Sequence, residues 1–297
     1  MGPLGRAFLM LALVTVAWSA QPADMAAQFP YHLSKRDAIA LPALAAAGAL
    51  SQVVANSVSG LERSQLKALN RADVNGFDRW ATRQWSESWQ SRSDRLRLIA
   101  WSSSAGAIAI ADLEGGFFTT LVMGLEVGLA VGSITQYTKA ATRRMRPYAY
   151  NSDVSVDERY VKATAEGDAR LSFFSGHAST AFASAVFAST VLDHIYSDAW
   201  WTKWVWVGTL AAASGTAYAR TKAGKHYPTD VLTGAAVGSA VAFFLPKMHE
   251  RHGTAAPEAG DGRVSVQELH RSLVDQFQMD DDWERFAAAW SSHFSPM

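Results

Sequence analysis

Three short stretches of the sequence carry side chains that can bind and transform an anion. The first runs from Lys139 to Pro147 and contains one lysine and three arginines directly after an apolar run. Lys139 and Arg146 are seven residues apart, which is two turns of a helix, so both can project toward one anion. Pro147 predicts that this helix ends near Arg146, because the residue before a proline disfavours the α conformation. A solvated basic face or the flank of a membrane span would give the same pattern.

The second stretch contains Ser175, Gly176 and His177 at the start of an alanine-rich run. Gly176 permits a close backbone approach, and the first N–H groups of the following helix attract anions. His177 can donate or accept a proton near neutral pH. Ser-Gly-His also occurs in ordinary turns, and a serine beside a histidine in sequence has poor geometry for a nucleophile and its base. Alone, this stretch is a weak indication of chemistry.

The third stretch, Arg220–Asp230, leads into another apolar run. His226 and Asp230 are four residues apart, so the carboxylate can reach back to one ring nitrogen and leave the other unprotonated. A histidine held in this way can act as a nucleophile or a base. Asp230 could instead only cap the helix, an interpretation that Pro228 and Thr229 allow.

Together the three stretches predict a pocket for a tetrahedral oxyanion. Lys139, Arg146 and Arg220 supply separated positive charges, and the Ser-Gly turn supplies N–H donors. Such groups can stabilise the equatorial oxygens of a transferring phosphoryl group in place of Mg²⁺, so the chemistry requires no metal. One imidazole would attack, and the other would protonate the leaving group.

The order, spacing and residue types of the three stretches resemble the signature of the type 2 phosphatidic acid phosphatase (PAP2) superfamily. This superfamily also contains bacterial class A acid phosphatases and vanadium haloperoxidases. The matching motifs are Lys139-x6-Arg146-Pro147, Ser175-Gly176-His177 and Arg220-x5-His226-x3-Asp230. Phe174 stands where the family usually has proline, which should affect only turn rigidity. Ala219 stands where serine is usual, which removes a hydroxyl donor near the phosphate.

The resemblance implies a role for each matching residue. His226 would attack phosphorus to form a phosphohistidine, Asp230 would orient its ring, and His177 would protonate the leaving alcohol. The phosphate-binding groups would be Lys139, Arg146, Ser175, the Gly176 N–H and Arg220. No role is implied for five neighbouring residues, which we expect at the pocket rim or the surface: Arg143, Arg144, Lys222, Lys225 and Tyr227.

The implied function is a metal-independent phosphatase that hydrolyses phosphomonoesters without a cofactor. Its substrate would be a lipid phosphate or a small soluble phosphate. The alternative is a haloperoxidase, in which the same pocket would hold vanadate as cofactor.

Composition sets further limits. With 297 residues and 49% hydrophobic side chains, the chain can bury a sizeable core. It carries 27 basic and 27 acidic residues, so no net charge attracts it to nucleic acid. The absence of cysteine excludes disulfides, thiolate nucleophiles and Cys-ligated metal centres.

Six apolar stretches are long enough for helices and long for strands, so they predict an all-α protein. The resemblance implies a helical bundle of the PAP2/haloperoxidase type with about six core helices. The stretches are Ala38–Ala55, Leu98–Leu113, Phe117–Ile134, Ala178–Leu192, Val205–Ala219 and Val231–Leu245. Arg143–Arg170 is interpreted as an irregular loop. Residues 1–20 predict a signal peptide, 21–251 the phosphatase domain, and 252–297 a linker with a short amphipathic helical tail.

Polar residues interrupt the apolar stretches, and lipid-facing spans avoid such residues. Ser102, Glu126 and His177 are examples. A cleaved signal followed by three crossings would also place Lys139–Arg146 in the cytoplasm. Both arguments favour a soluble domain exported to the bacterial periplasm. The alternative is an integral inner-membrane protein with six spans whose polar residues face the bundle interior.

Overall fold

The structure, a computed structural model, describes residues 29–251. In this range the chain forms α-helices and short 3-10 helices and no β-strand, which confirms the all-α prediction. The α-helices are α1 (Asp37–Asn56), α2 (Arg63–Ala68), α3 (Glu87–Ala111), α4 (Phe117–Thr142), α5 (Val156–Glu166), α6 (Gly176–Ile195), α7 (Thr202–Lys222) and α8 (Pro228–Lys247). The predicted signal peptide (1–20) and C-terminal tail (252–297) lie outside the described residues.

The six apolar stretches form α1, α3, α4, α6, α7 and α8. The interpretation of Arg143–Arg170 as an irregular loop was wrong, because this segment contains α5. A capping box begins α5: the Ser155 hydroxyl accepts the Glu158 N–H, and the Glu158 carboxylate accepts the Ser155 N–H. The Ser-x-x-Glu pattern that encodes this cap is visible in the sequence.

Helix α6 is the central element, since it packs against α3, α4, α7 and α8. Its buried side chains are mostly small, which lets the neighbouring backbones approach closely. The closest approach is to α8. A Cβ added to Gly234 would lie 2.6 Å from the Ser175 carbonyl oxygen, and one added to Gly238 would lie 2.0 Å from that of Ser179. This contact brings the second and third motifs together.

Gly238→Ala is therefore expected to destabilise the protein. The new methyl group must push α8 away from α6, and overpacking of this kind costs about 1–3 kcal/mol. Gly208→Ala is a matched control, because Gly208 also lies in a helix but has open space around its Cβ position. The free energy of unfolding of the control variant should rise by about 0.5–1 kcal/mol, because alanine favours a helix more than glycine does. Thermal unfolding of both variants measures the difference, and equal melting temperatures would contradict the close α6–α8 contact.

Within the described residues, four helices are long and apolar enough to cross a membrane: α1, α3, α4 and α8. Their outward side chains include Ile39 on α1, Leu98 on α3 and Leu232 on α8, which are 70%, 65% and 60% exposed. Glu126, which argued against a span, is buried inside the bundle. The four helices favour a membrane protein over the soluble domain that the sequence favoured, with four candidate spans in this range rather than six.

Candidate active site

The three motifs meet at one end of the bundle. Four helix ends come together there: the C-terminal ends of α4 and α7 and the N-terminal ends of α6 and α8. These elements carry, in chain order, Lys139, the Ser175-Gly176-His177 turn, Arg220 and Asp230, while Arg146 and His226 lie in the connecting loops. The structure thus gathers all eight residues that the sequence singled out.

His226 and Asp230 lie side by side in the protein interior. The His226 Nδ1 atom is 3.5 Å from the Asp230 Oδ2 atom, and both side chains are fully buried. Nδ1 makes no hydrogen bond within the described residues, so the carboxylate is near the ring without a short contact. The other ring nitrogen, Nε2, lies 3.2 Å from the Arg146 guanidinium. Nε2 is therefore the nitrogen that faces the cationic pocket.

The pKa of His226 is held well below its usual range. Burial is the main cause, and the positive charges of Arg146, Arg220 and Lys139 add to it. The imidazole is consequently neutral at ordinary pH and retains a lone pair. A neutral imidazole among cations is suited to attack an anion that those cations bind.

Asp230 both caps α8 and belongs to a hydrogen-bond network. Its carboxylate accepts the Tyr227 N–H at 2.9 Å, the Ser172 hydroxyl at 2.5 Å and the Arg144 guanidinium at 2.6 Å. The capping interpretation and the ring-orienting interpretation of this residue are thus compatible. Three donors fix the position of the carboxylate beside His226.

Arg144 was expected at the rim or the surface, and its side chain is 27% exposed, but it also makes ion pairs that the sequence did not predict. Its guanidinium bridges Asp230 and Asp78, 2.7 Å away, and it lies 4.0 Å from the centre of the Tyr227 ring. Asp78 also accepts the Thr229 N–H at 3.0 Å. Burial opposes ionisation of Asp78, but hydrogen bonds from Thr229, Asn75 and Arg144 outweigh it and lower its pKa. The spacing of the motifs contains no signal for Asp78, which lies far upstream.

Lys225 and Tyr227 were likewise expected at the rim or the surface, and both are buried. The Lys225 ammonium pairs with Glu166. Burial lowers the pKa of Lys225 to about 8, although the Glu166 carboxylate acts in the opposite direction. Arg143 is exposed, as expected.

Arg146 reaches the site from a loop rather than from a helix face. Helix α4 ends at Thr142, earlier than Pro147 predicts, and Arg143 follows in the left-handed conformation with φ of 47°. Arg146 is held by the Asp168 carboxylate at 2.6 Å and by the Lys225 carbonyl oxygen at 2.8 Å. Lys139 and Arg146 thus both lie at the site, as predicted. The predicted reason, a shared helix face two turns apart, was wrong.

Among the described residues, only one of the three cations expected to bind phosphate has a carboxylate partner, which is Arg146 with Asp168. Arg220 is buried, and its guanidinium donates a hydrogen bond to the Ser93 hydroxyl at 3.4 Å. Its Nε atom has no hydrogen-bond partner within the described residues. Burial and the nearby Arg146 charge lower its pKa to about 9. The Lys139 ammonium lies 3.5 Å from the position a Gly176 Cβ would take, so it is next to the start of α6. Buried cations without equal counter-charge favour an anionic ligand.

His177 has an acidic partner that the motifs did not reveal. Its Nε2 donates to the Asp94 carboxylate of α3 at 2.7 Å. A carboxylate that accepts this hydrogen fixes the tautomer and leaves Nδ1 free for a reacting group. Burial and the charges of Arg220 and Arg97 lower the pKa of His177.

The turn that begins α6 provides further donors. The Ser175 hydroxyl accepts the Ala178 N–H as an N-cap. The Gly176 and His177 N–H groups belong to the first turn, where no preceding helical carbonyl is within reach. A cavity of about 400 Å³ lies beside Lys139. It is lined by Lys139 and Asp168 together with three amide side chains, Gln52, Asn56 and Gln136.

Comparisons with known proteins agree with the motifs. Residues 119–253 match the family model of the PAP2 superfamily, and this range contains all eight motif residues. No curated protein sequence matches the chain. Among solved structures, the chain is similar to a transmembrane PAP2-type phosphatidylglycerolphosphate phosphatase from Bacillus subtilis, with 19% identity and a TM-score of 0.37. The alignment covers 82% of this chain and 93% of that chain.

Proposed function

We propose that this chain, which belongs to the PAP2 superfamily through residues 119–253, is a membrane phosphatase that hydrolyses lipid phosphate monoesters without a metal or cofactor. One observation carries the proposal. A neutral, buried histidine faces three cations, Lys139, Arg146 and Arg220, and in the described residues only Arg146 has a carboxylate partner. Such a pocket binds a phosphoryl group and places a nucleophile next to it.

The proposed reaction has two steps. His226 Nε2 attacks phosphorus, the bond from phosphorus to the alcohol oxygen breaks, and that oxygen takes a proton from His177. Water then attacks phosphorus, the bond from phosphorus to His226 Nε2 breaks, His177 accepts a proton from this water, and inorganic phosphate leaves. The three cations hold the phosphoryl oxygens in both steps, and Ser175 and the Gly176 N–H contribute hydrogen bonds.

His177 receives its proton when substrate binds. Burial and the positive charges of Arg220 and Arg97 disfavour a protonated His177, and a bound phosphate dianion would offset the charges. The Asp94 carboxylate 2.7 Å from Nε2 then stabilises the imidazolium. His177 is thus a general acid, and Asp94 is its positioning residue.

His177→Ala and Asp94→Asn are expected to slow alkyl phosphates more than p-nitrophenyl phosphate, since only the alkyl leaving group needs a proton. General acid catalysis contributes about 10²–10⁴-fold, so His177→Ala should lose that much on an alkyl phosphate, and Asp94→Asn should lose less. Asp112→Asn, an exposed change at the other end of α3, is the matched control. The ratio of kcat/KM for the two substrates is the readout, and equal losses on both would contradict the assignment.

A lipid substrate is proposed from two features of the described residues. Four helices are long and apolar enough to span a bilayer, which would bring the active site close to lipid headgroups. The cavity beside Lys139 is lined by amide and acidic side chains, which suit a hydrogen-bonding headgroup rather than an acyl chain.

Cell fractionation combined with an assay in each fraction tests the function. Phosphatase activity on phosphatidate is expected in the membrane fraction, released only by detergent and unchanged by EDTA. Activity released with the soluble periplasm would overturn the membrane assignment. Loss of activity with EDTA, at a temperature where the EDTA-treated protein is still folded, would overturn the metal-free mechanism. Halide oxidation by peroxide after vanadate loading, without phosphatase turnover, would instead identify a haloperoxidase.

A further inference from the structure

A second cluster of ionisable side chains lies at the opposite end of the bundle from the active site. Asp37 is the first residue of α1, Glu126 lies within α4, and His249 follows α8. All three are at least nine-tenths buried. Because α8 begins at the active site and has 20 residues, its length of about 30 Å separates the two clusters.

Three potential ligand atoms converge in this cluster. The His249 Nε2 atom lies 3.1 Å from Asp37 Oδ1 and 3.4 Å from Glu126 Oε2. All three atoms lie within 4.8 Å of one another. Ligand atoms about 2.0–2.1 Å from a tetrahedral Zn²⁺ are about 3.3–3.4 Å apart, so these separations suit a single ion between them.

The histidine ring is oriented for coordination. The His249 Nδ1 atom lies 3.0 Å from the Leu245 carbonyl oxygen, which can only accept a hydrogen bond. Nδ1 therefore carries the hydrogen, and in the neutral ring Nε2 presents a lone pair to the two carboxylates. An imidazole whose outer nitrogen donates to a carbonyl is the usual arrangement of a histidine metal ligand.

The charges of the cluster are incompletely satisfied by the protein. No lysine or arginine in the described part of the chain pairs with Asp37 or Glu126. The second carboxylate oxygen of Glu126, Oε1, is buried and has no hydrogen-bond partner there. An imidazolium would balance only one of the two buried carboxylates, whereas a divalent ion bound to the neutral ring would balance both.

We propose that Asp37, Glu126 and His249 bind one divalent transition-metal ion such as Zn²⁺. The ion would join the start of α1 to α4 and to the chain after α8. It would also fix the pairing between residues 30–32 and 249–251, in which the His32 N–H donates to the His249 carbonyl oxygen at 2.9 Å. The role is structural, and it is independent of the proposed phosphatase chemistry.

The test measures metal content and thermal stability of the untagged full-length protein. After EDTA treatment and removal of the chelator, the protein is incubated with Zn²⁺ and dialysed. About one equivalent of bound Zn²⁺ and a higher melting temperature are expected. Glu126→Gln, which is nearly isosteric, and His249→Ala should each lose the bound Zn²⁺ and the temperature shift. His194→Ala is the control, because His194 lies at the same end of the bundle but outside the cluster.

Other results would overturn the proposal. If the wild-type protein retains less than about one tenth of an equivalent of Zn²⁺, and Mn²⁺ gives the same result, the cluster is an imidazolium held by two carboxylates. Equal Zn²⁺ retention by Glu126→Gln and the wild type would place the ion elsewhere. Phosphatase activity is not used in this test, so failure of the metal site and failure of the proposed function are distinguishable.

Discussion

Replacement of His226 by alanine is expected to abolish phosphatase turnover, with a fall in kcat of at least about 10⁴-fold. The substitution removes the only nitrogen proposed to bond to phosphorus, and the cations that remain can bind phosphate without supplying a nucleophile. No labelled phosphoenzyme should be trapped when the variant is mixed with radiolabelled substrate and quenched.

Two further variants test whether the loss is specific to the nucleophile. Asp230→Asn keeps the His226 ring but replaces the carboxylate 3.5 Å from Nδ1, so a large but incomplete loss of kcat is expected. His194→Ala changes an imidazole at the far end of the bundle and should leave turnover within about twofold of the wild type. Substantial turnover or phosphoenzyme in His226→Ala would exclude His226 as the nucleophile.

Replacement of Arg146 by alanine is expected to lower kcat by about 10²–10³-fold, the usual cost of removing a charged donor to a transition-state oxygen. Arg146 is buried and lies 3.2 Å from the His226 Nε2 atom, so no other described guanidinium is as close to the nucleophile. Inhibition by inorganic phosphate should weaken as well. Arg146→Lys should restore part of the binding and less of kcat, since lysine lacks the planar fork that Asp168 holds.

Arg143 offers a matched control in the same loop. Its side chain is exposed, and it contacts only the Ala140 carbonyl oxygen among the described residues, so Arg143→Ala removes an equal charge without touching the pocket. Its kcat and phosphate inhibition should remain within about twofold of the wild type. Equal losses in Arg143→Ala and Arg146→Ala would mean that general positive charge, rather than the placement of Arg146, supports the reaction.

Local sequence patterns predicted the helices and most of the candidate site. The apolar stretches became helices because their length and composition permit little else. The four-residue spacing of His226 and Asp230 implied their proximity, since the start of a helix brings such residues to the same side. These inferences depend only on residues that are close together in the chain, and the sequence gives that order directly.

The partners of the site residues could not be predicted in this way. Asp94 lies 83 residues before His177, and Asp78 lies 66 residues before Arg144. Each pair forms only because two helices or loops pack together, and neither Asp94 nor Asp78 has a spacing that marks it. The ion pair of Arg144 with Asp78 was not predicted for this reason.

The argument about membrane spans depends on the same kind of information. A polar residue in an apolar stretch argues against a membrane span only if its side chain faces lipid. The direction of the side chain cannot be read from the sequence alone. The tertiary structure turns Glu126 toward Asp37 and His249 and leaves residues such as Leu98 on the outside. The sequence by itself determined the helices, the cationic motifs and the nucleophile candidate, because these follow from residue type and local spacing. Only the packing of the helices decided which charges are paired, which remain without a counter-charge, and which surface is apolar, because these depend on residues far apart in the chain.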